Sequence, residues 1–157
     1  MSVFLRSIGA LLLILTGAGG GFAVYGHKLR NWQQLRTLAG LFGYLQGLLS
    51  YQAMAGDELL GWAARYPEFS MLDLGDCRRL TDLPLPAALP PVLAQEVRSG
   101  LTQLALQPRD NACATLQRLA DLCGWAAEEK GKEVQAARTL WPKLGICAGV
   151  LAAILLW

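Results

Sequence analysis

The residues able to do chemistry are few in this chain, and their spacing does not bring them together. The single histidine, His27, stands beside Lys28 at the end of an uncharged run, where it adds to a basic flank. Cys77, Cys113, Cys123 and Cys147 form no CxxC pair and have no histidine partner, so neither the ligands nor the spacing of a zinc site is present. They read as reduced core thiols, and a disulfide framework is not expected of them. Asp73, Asp76, Asp82, Asp121, Glu128 and Glu129 are scattered, the pattern of a solvated face. No phosphate-binding loop, HExxH helix or nucleophile elbow occurs. The expectation is a protein without catalytic residues, cofactor or metal.

What such a chain positions must therefore be sought in its elements. Of 157 residues 54% are hydrophobic and only 17% charged, an excess concentrated at the two ends. Ser7 to Gly26 contains no charge, about the length that crosses a bilayer core as a helix. Leu144 to Trp157 is also charge-free but covers only about 21 Å at about 1.5 Å per residue. Trp141 and Trp157 bracket it as interfacial aromatics would, and local thinning or snorkelling of Lys143 would accommodate its shortness. A buried core helix is the alternative for this second run. The net charge of +2, with no basic stripe among aromatics, argues against nucleic acid as a partner.

The first run also has the outline of a secretory signal, with Arg6 before an apolar core and small residues at Ala18 to Gly21. Hydrophobicity resumes at Phe22-Ala-Val-Tyr25, which favours a retained anchor. Gly17, Gly19, Gly20 and Gly21 make its second half narrow, leaving open either close helix packing or mere tolerance of glycine. His27, Lys28, Arg30 and Arg36 follow the first run, and Lys130, Lys132, Arg138 and Lys143 precede the second. By the positive-inside rule the middle is expected in the cytoplasm. The organisation read from these features is a transmembrane helix over 7–26, a cytoplasmic helical domain over 27–143, and a second transmembrane helix over 144–157.

Helical periodicity dominates the middle, so the fold class expected is all-α. Trp32, Leu35, Ala39, Phe42, Leu45 and Leu49 recur at spacings of three and four on a helix continuing from the first anchor. The opposite face carries Arg30, Gln33, Gln34 and Arg36, which this stripe leaves free to meet a partner. A short helix is expected over Asp57–Arg65 with Asp57 as its cap, and Pro67 suits the first turn of another. Pro84, Pro86, Pro90 and Pro91 mark a joint over 76–91 within one domain. Leu93, Val97, Leu101, Leu104 and Leu106 line a further helix. A last one starts near Asp110 and turns Ala112, Leu116, Leu119, Cys123, Ala126, Val134, Ala137 and Trp141 inward before entering the second anchor.

The order of an N-terminal anchor, Gln34-Leu-Arg-Thr-Leu38, Leu45-Gln-Gly-Leu-Leu-Ser-Tyr51, a helical middle and Leu140-Trp-Pro-Lys-Leu-Gly145 entering a C-terminal anchor resembles the stage III sporulation protein AB family of endospore-forming bacteria. The family's glutamate near this tyrosine is replaced by Gln46 and Leu48, and its Thr-Pro-Leu by Ala53-Met54-Ala55. The resemblance implies a non-enzymatic platform subunit of the complex joining mother cell and forespore. Its helical domain would be similar to the cytoplasmic domains of the type II secretion platform protein F. The implied partners are membrane lipid, other membrane components of that complex and a cytoplasmic ATPase like stage III sporulation protein AA, and the reading leaves room for homo-oligomers. The alternative is a small integral membrane protein of unrelated scaffold or transport-accessory role. Uncharged spans weaken a transporter reading, because ion paths place charge within the membrane.

Overall fold

The structure, a computed structural model, describes residues 2–52 and 56–156, and every regular element among them is helical. Four α-helices follow one another: α1 (Ser2–Tyr51), α2 (Gly56–Ala63), α3 (Pro91–Leu104) and α4 (Arg109–Leu156). Three short 3-10 turns, Pro67–Leu72, Leu74–Asp76 and Leu80–Asp82, carry the chain between α2 and α3. The molecule divides into a terminal unit, Met1–Arg30 with Lys130–Trp157, and a central unit, Asn31–Glu129.

In the central unit the periodic leucines decide the packing. Leu35, Leu38, Leu41, Phe42 and Leu45 of α1 are fully buried, with Ala39, Leu48 and Leu49 half-buried at the stripe's edges. The stripe is broader than the single row expected, because Leu38 and Leu41 fill the positions between its two edges. Opposite stand Leu59, Leu60 and Ala63 of α2, Val97 and Leu101 of α3, and Leu116, Leu119, Cys123, Ala126 and Ala127 of α4. Each fully buried leucine removes enough apolar area from water to contribute about 1.5–3 kcal/mol. Among the described residues no polar or charged side chain is buried, so no desolvated group opposes this gain.

The connection from α2 to α3 folds onto this core through Phe69, Leu72 and Leu74 of its first two turns and through Leu83 and Leu89 of the proline joint, all buried. Pro67 does open a helical turn, but a 3-10 one that closes after Leu72, because Asp73 takes a left-handed conformation at φ 52°. Aspartate tolerates that region better than a branched residue would. Pro91 sits at the start of α3, where its missing N–H is not needed. The segment Ala53-Met54-Ala55 lies outside the described residues, and so does the capping side chain expected of Asp57.

Two expectations are corrected by burial. Only Cys123 is a core thiol; Cys77 and Cys113 are half-buried and Cys147 is exposed. Leu106 lies beyond the end of α3 and is 85% exposed, while Gly100 takes the inner position against Leu119. The inner face expected of α4 agrees closely, from Ala112 through Ala137, with Trp141 half-buried at its end.

Candidate functional site

Two helices are long and apolar enough to cross a membrane, and their apolar windows are only 6% buried. A core helix of a water-soluble domain would bury most of such a window. Here Leu11, Leu12, Leu15 and Phe22 on α1, and Leu151, Ile154 and Leu155 on α4, stand exposed in the terminal unit. The surface they make is apolar over many side chains, the mark of a surface suited to a membrane or to another protein.

The inner seam of this unit is made of backbone. A methyl group on Gly17 would stand 2.5 Å from the Gly145 carbonyl oxygen, one on Gly21 2.7 Å from that of Trp141, and one on Gly149 2.9 Å from the Ile14 Cα. A methyl on Gly145 would meet the Gly17 carbonyl oxygen in turn. Gly17 and Gly21, and Gly145 and Gly149, are each four apart, so both helices offer a groove at every turn on one face. The pairings run in opposite directions along the two helices, which are antiparallel. Farther along the seam Lys28 Nζ lies 4.0 Å from Glu133 Oε2 and Lys130 Nζ donates to Glu133 Oε1 at 3.0 Å. Exposed ion pairs of this kind contribute about 0–1 kcal/mol. Gly19 and Gly20 have open space where a side chain would be, so packing explains two of the four clustered glycines and not the others.

The sequence-selected surface residues fall in different settings. Arg30 is exposed at the edge of the terminal unit. In the central unit Gln33 and Arg36 are exposed, and the Arg36 guanidinium lies over the Trp32 ring at 5.4 Å from its centre. Gln34 is half-buried, since it precedes Leu38 by one turn and shares its side of the helix. The outer face in that unit is thus most open at Gln33 and Arg36, with Gln34 at its edge.

One contact had no sequence signal. Arg109, the first residue of α4, donates from Nε to the Leu49 carbonyl and from Nη2 to the Ser50 carbonyl, both at 2.7 Å. A planar guanidinium closes two of the carbonyls that the end of α1 leaves open, with its charge at the negative end of the helix dipole. Nothing local distinguishes Arg109 from the chain's other arginines, because its partners are about sixty residues away.

Three side chains have their titration shifted by their surroundings. Burial pushes the Cys123 thiol up to about 12, leaving it protonated and unreactive at neutral pH. Burial also raises Cys77, with the carboxylates of Asp82, Asp76 and Asp73 adding to the effect. Tyr44, in tilted contact with Tyr66 and Phe69, is raised by burial first and by Tyr66 second. An open groove of about 480 Å³ between α3 and α4 is spanned by Arg118 Nη2 donating to Glu96, so its two charges satisfy each other. Among the described residues no cluster of histidine, cysteine or acidic side chains could hold a metal ion.

The fold and surface define an all-helical protein with two helices long and apolar enough to cross a membrane. Compared with known proteins, the chain matches no family model, no curated protein and no solved structure.

Proposed function

We propose that this protein is a membrane-anchored scaffold subunit without chemistry of its own, held in the bilayer by the antiparallel pair of apolar helices. The carrying observation is the inside-out packing of the terminal unit: glycine backbones meet at its seam while leucines and phenylalanine face outward. Association of helices within lipid favours close backbone approach of this kind, because hydrophobic side chains gain nothing from one another in hydrocarbon. The same seam favours retention of the first run over its cleavage, since Gly17 and Gly21 are the partners of the second. The basic flanks at Lys28, Arg30, Lys130 and Lys132 favour a central unit on the cytoplasmic side.

The finer reading is a platform subunit of the mother cell–forespore complex, with a helical domain like those of the type II secretion platform protein F. Its support is the block Leu35-Arg-Thr-Leu38, whose leucines are fully buried while Arg36 stays exposed, and Leu144-Gly145, whose glycine sits in the helix seam. Arg30, Gln33, Gln34 and Arg36 are its candidate contact with a cytoplasmic ATPase.

Alkaline carbonate washing of membranes tests the anchor: the full-length chain stays in the pellet, and release into the wash refutes it. A deletion strain tests the role: vegetative growth is normal and spore development stops after engulfment. Normal sporulation refutes the platform reading. Charge reversal at Arg30 and Arg36 abolishes co-purification of the ATPase from a folded, membrane-bound protein, and undiminished recovery places the contact elsewhere.

A further inference from the structure

The glycine seam fixes a register, and the register puts a charge at an unexpected depth. With Gly17 opposite Gly145 and Gly21 opposite Trp141, one step forward along α1 is one step back along α4. Lys143 therefore lies level with Gly19, about seven residues, or about 10 Å, inside the point where the uncharged run of α1 ends. It is exposed, and it stands two residues, about 200° of helix rotation, from the Gly145 that faces α1. Its ammonium thus lies on the outward face of the pair, on the same side as the apolar residues that lipid would cover.

The stretch in which both helices are free of charge then runs from residue 7 to 18 on α1 against 144 to 155 on α4. That is about 18 Å at about 1.5 Å per residue, against a usual hydrocarbon thickness of about 30 Å. Trp141, level with Gly21, is where an interfacial aromatic belongs if the boundary lies at Lys143 rather than at Lys28. Phe22 and Tyr25 are then interfacial too. Pro142, within α4, leaves the Arg138 carbonyl without its helical donor, a group better placed among headgroups and water than in hydrocarbon.

We infer that the partner of this surface is a thin or locally thinned bilayer, with a hydrocarbon core of about 18 Å bounded on one side by the headgroup phosphates that Lys143 reaches. This rests on the membrane reading above and narrows it. In a bilayer of ordinary thickness the lysine must stretch toward the phosphates or the lipid must deform, and the strain grows with each added methylene. The protein is thereby a sensor of thickness, favouring membranes or membrane regions that already fit.

The full-length protein, reconstituted into phosphatidylcholine vesicles with short, intermediate or long monounsaturated chains, provides the test through the carbonate-resistant fraction and quenching of tryptophan by brominated lipid. Insertion should be greatest in the short-chain vesicles and severalfold lower in the long-chain ones. Lys143→Leu should raise long-chain insertion to near the short-chain level, while Lys143→Arg keeps the native profile. Equal or better insertion of the native protein in long chains, or a profile that Lys143→Leu leaves unchanged, overturns the inference while the anchor stands. Failure to insert in any vesicle overturns the membrane reading itself.

Discussion

The same two helices, α1 and α4, are packed by opposite rules in the two units they run through. In the central unit their large side chains point inward and their polar ones outward, so Leu35, Leu38 and Phe42 are fully buried while Arg36 is exposed. In the terminal unit glycines meet at the seam, and Leu11, Leu15 and Phe22 face out. Water rewards burial of hydrocarbon, and a hydrocarbon solvent rewards only close contact and satisfied hydrogen bonds. On the membrane reading proposed above, one helix meets two solvents in succession and turns different residue sizes inward in each.

The contrast breaks most sharply at the two phenylalanines. Phe42→Asp buries an unpaired charge and should cost more than about 4 kcal/mol, unfolding the central unit as followed by circular dichroism and limited proteolysis. Phe22→Ser, on an exposed residue, should leave the helical content unchanged. If both variants unfold alike, the terminal unit is packed by the same rule as the central one.

Gly145→Leu comes next, because the atom it meets is backbone and cannot turn aside. The helix pair should separate, with a loss of several degrees or more in the thermal midpoint in detergent, whereas Gly19→Leu, with open space around it, should change little. Equal effects would show that the glycines lower helix propensity and nothing more.

Arg109→Ala should destabilise the central unit by about 1–2 kcal/mol, read from urea unfolding, through two lost charge-assisted hydrogen bonds on exposed carbonyls. Cys123 gives a pH-dependent counterpart. Its thiol ionises at 9.0 when unfolded and is pushed up to about 12 when folded, so between those values the folded state holds the extra proton. Stability should then fall as pH rises from about 9, with Cys123 contributing up to about 1.4 kcal/mol per pH unit, and Cys123→Ala should make that slope shallower, leaving the smaller part due to Cys77 and Tyr44. Gly100→Ala should be mildest, under about 1 kcal/mol, because the neighbouring Leu119 side chain, 3.0 Å from the added methyl, can rotate away.

What periodicity encodes was legible in the sequence. The inner face of α4 from Ala112 to Ala137 and the stripe of α1 follow from a repeat of three and four, as does the all-helical class. Gln34 lies at the edge of the polar face because it shares the register of Leu38. The helix pair was only half legible: the glycines of the first run stood out, but their match with Gly145 and Gly149 depends on a register set by the rest of the fold. The short 3-10 turn after Pro67 depends on one left-handed aspartate, for which no repeat exists. Of the candidate surface, Gln33 and Arg36 were placed by helix geometry alone, whereas the Arg109 clamp joins residues that no local pattern connects.

That clamp bears on the order in which the chain can fold as it is made. α1 is complete at Tyr51, yet the carbonyls at its end wait for a guanidinium about sixty residues later, and the leucines of α1 wait for Leu116 and Leu119 just beyond. A nascent chain that has emerged only as far as the proline joint owns half a core and an open helix end. The central unit should therefore resist stepwise assembly on the ribosome and form in one event once α4 has emerged, leaving the growing chain dependent on whatever shields its leucines until then.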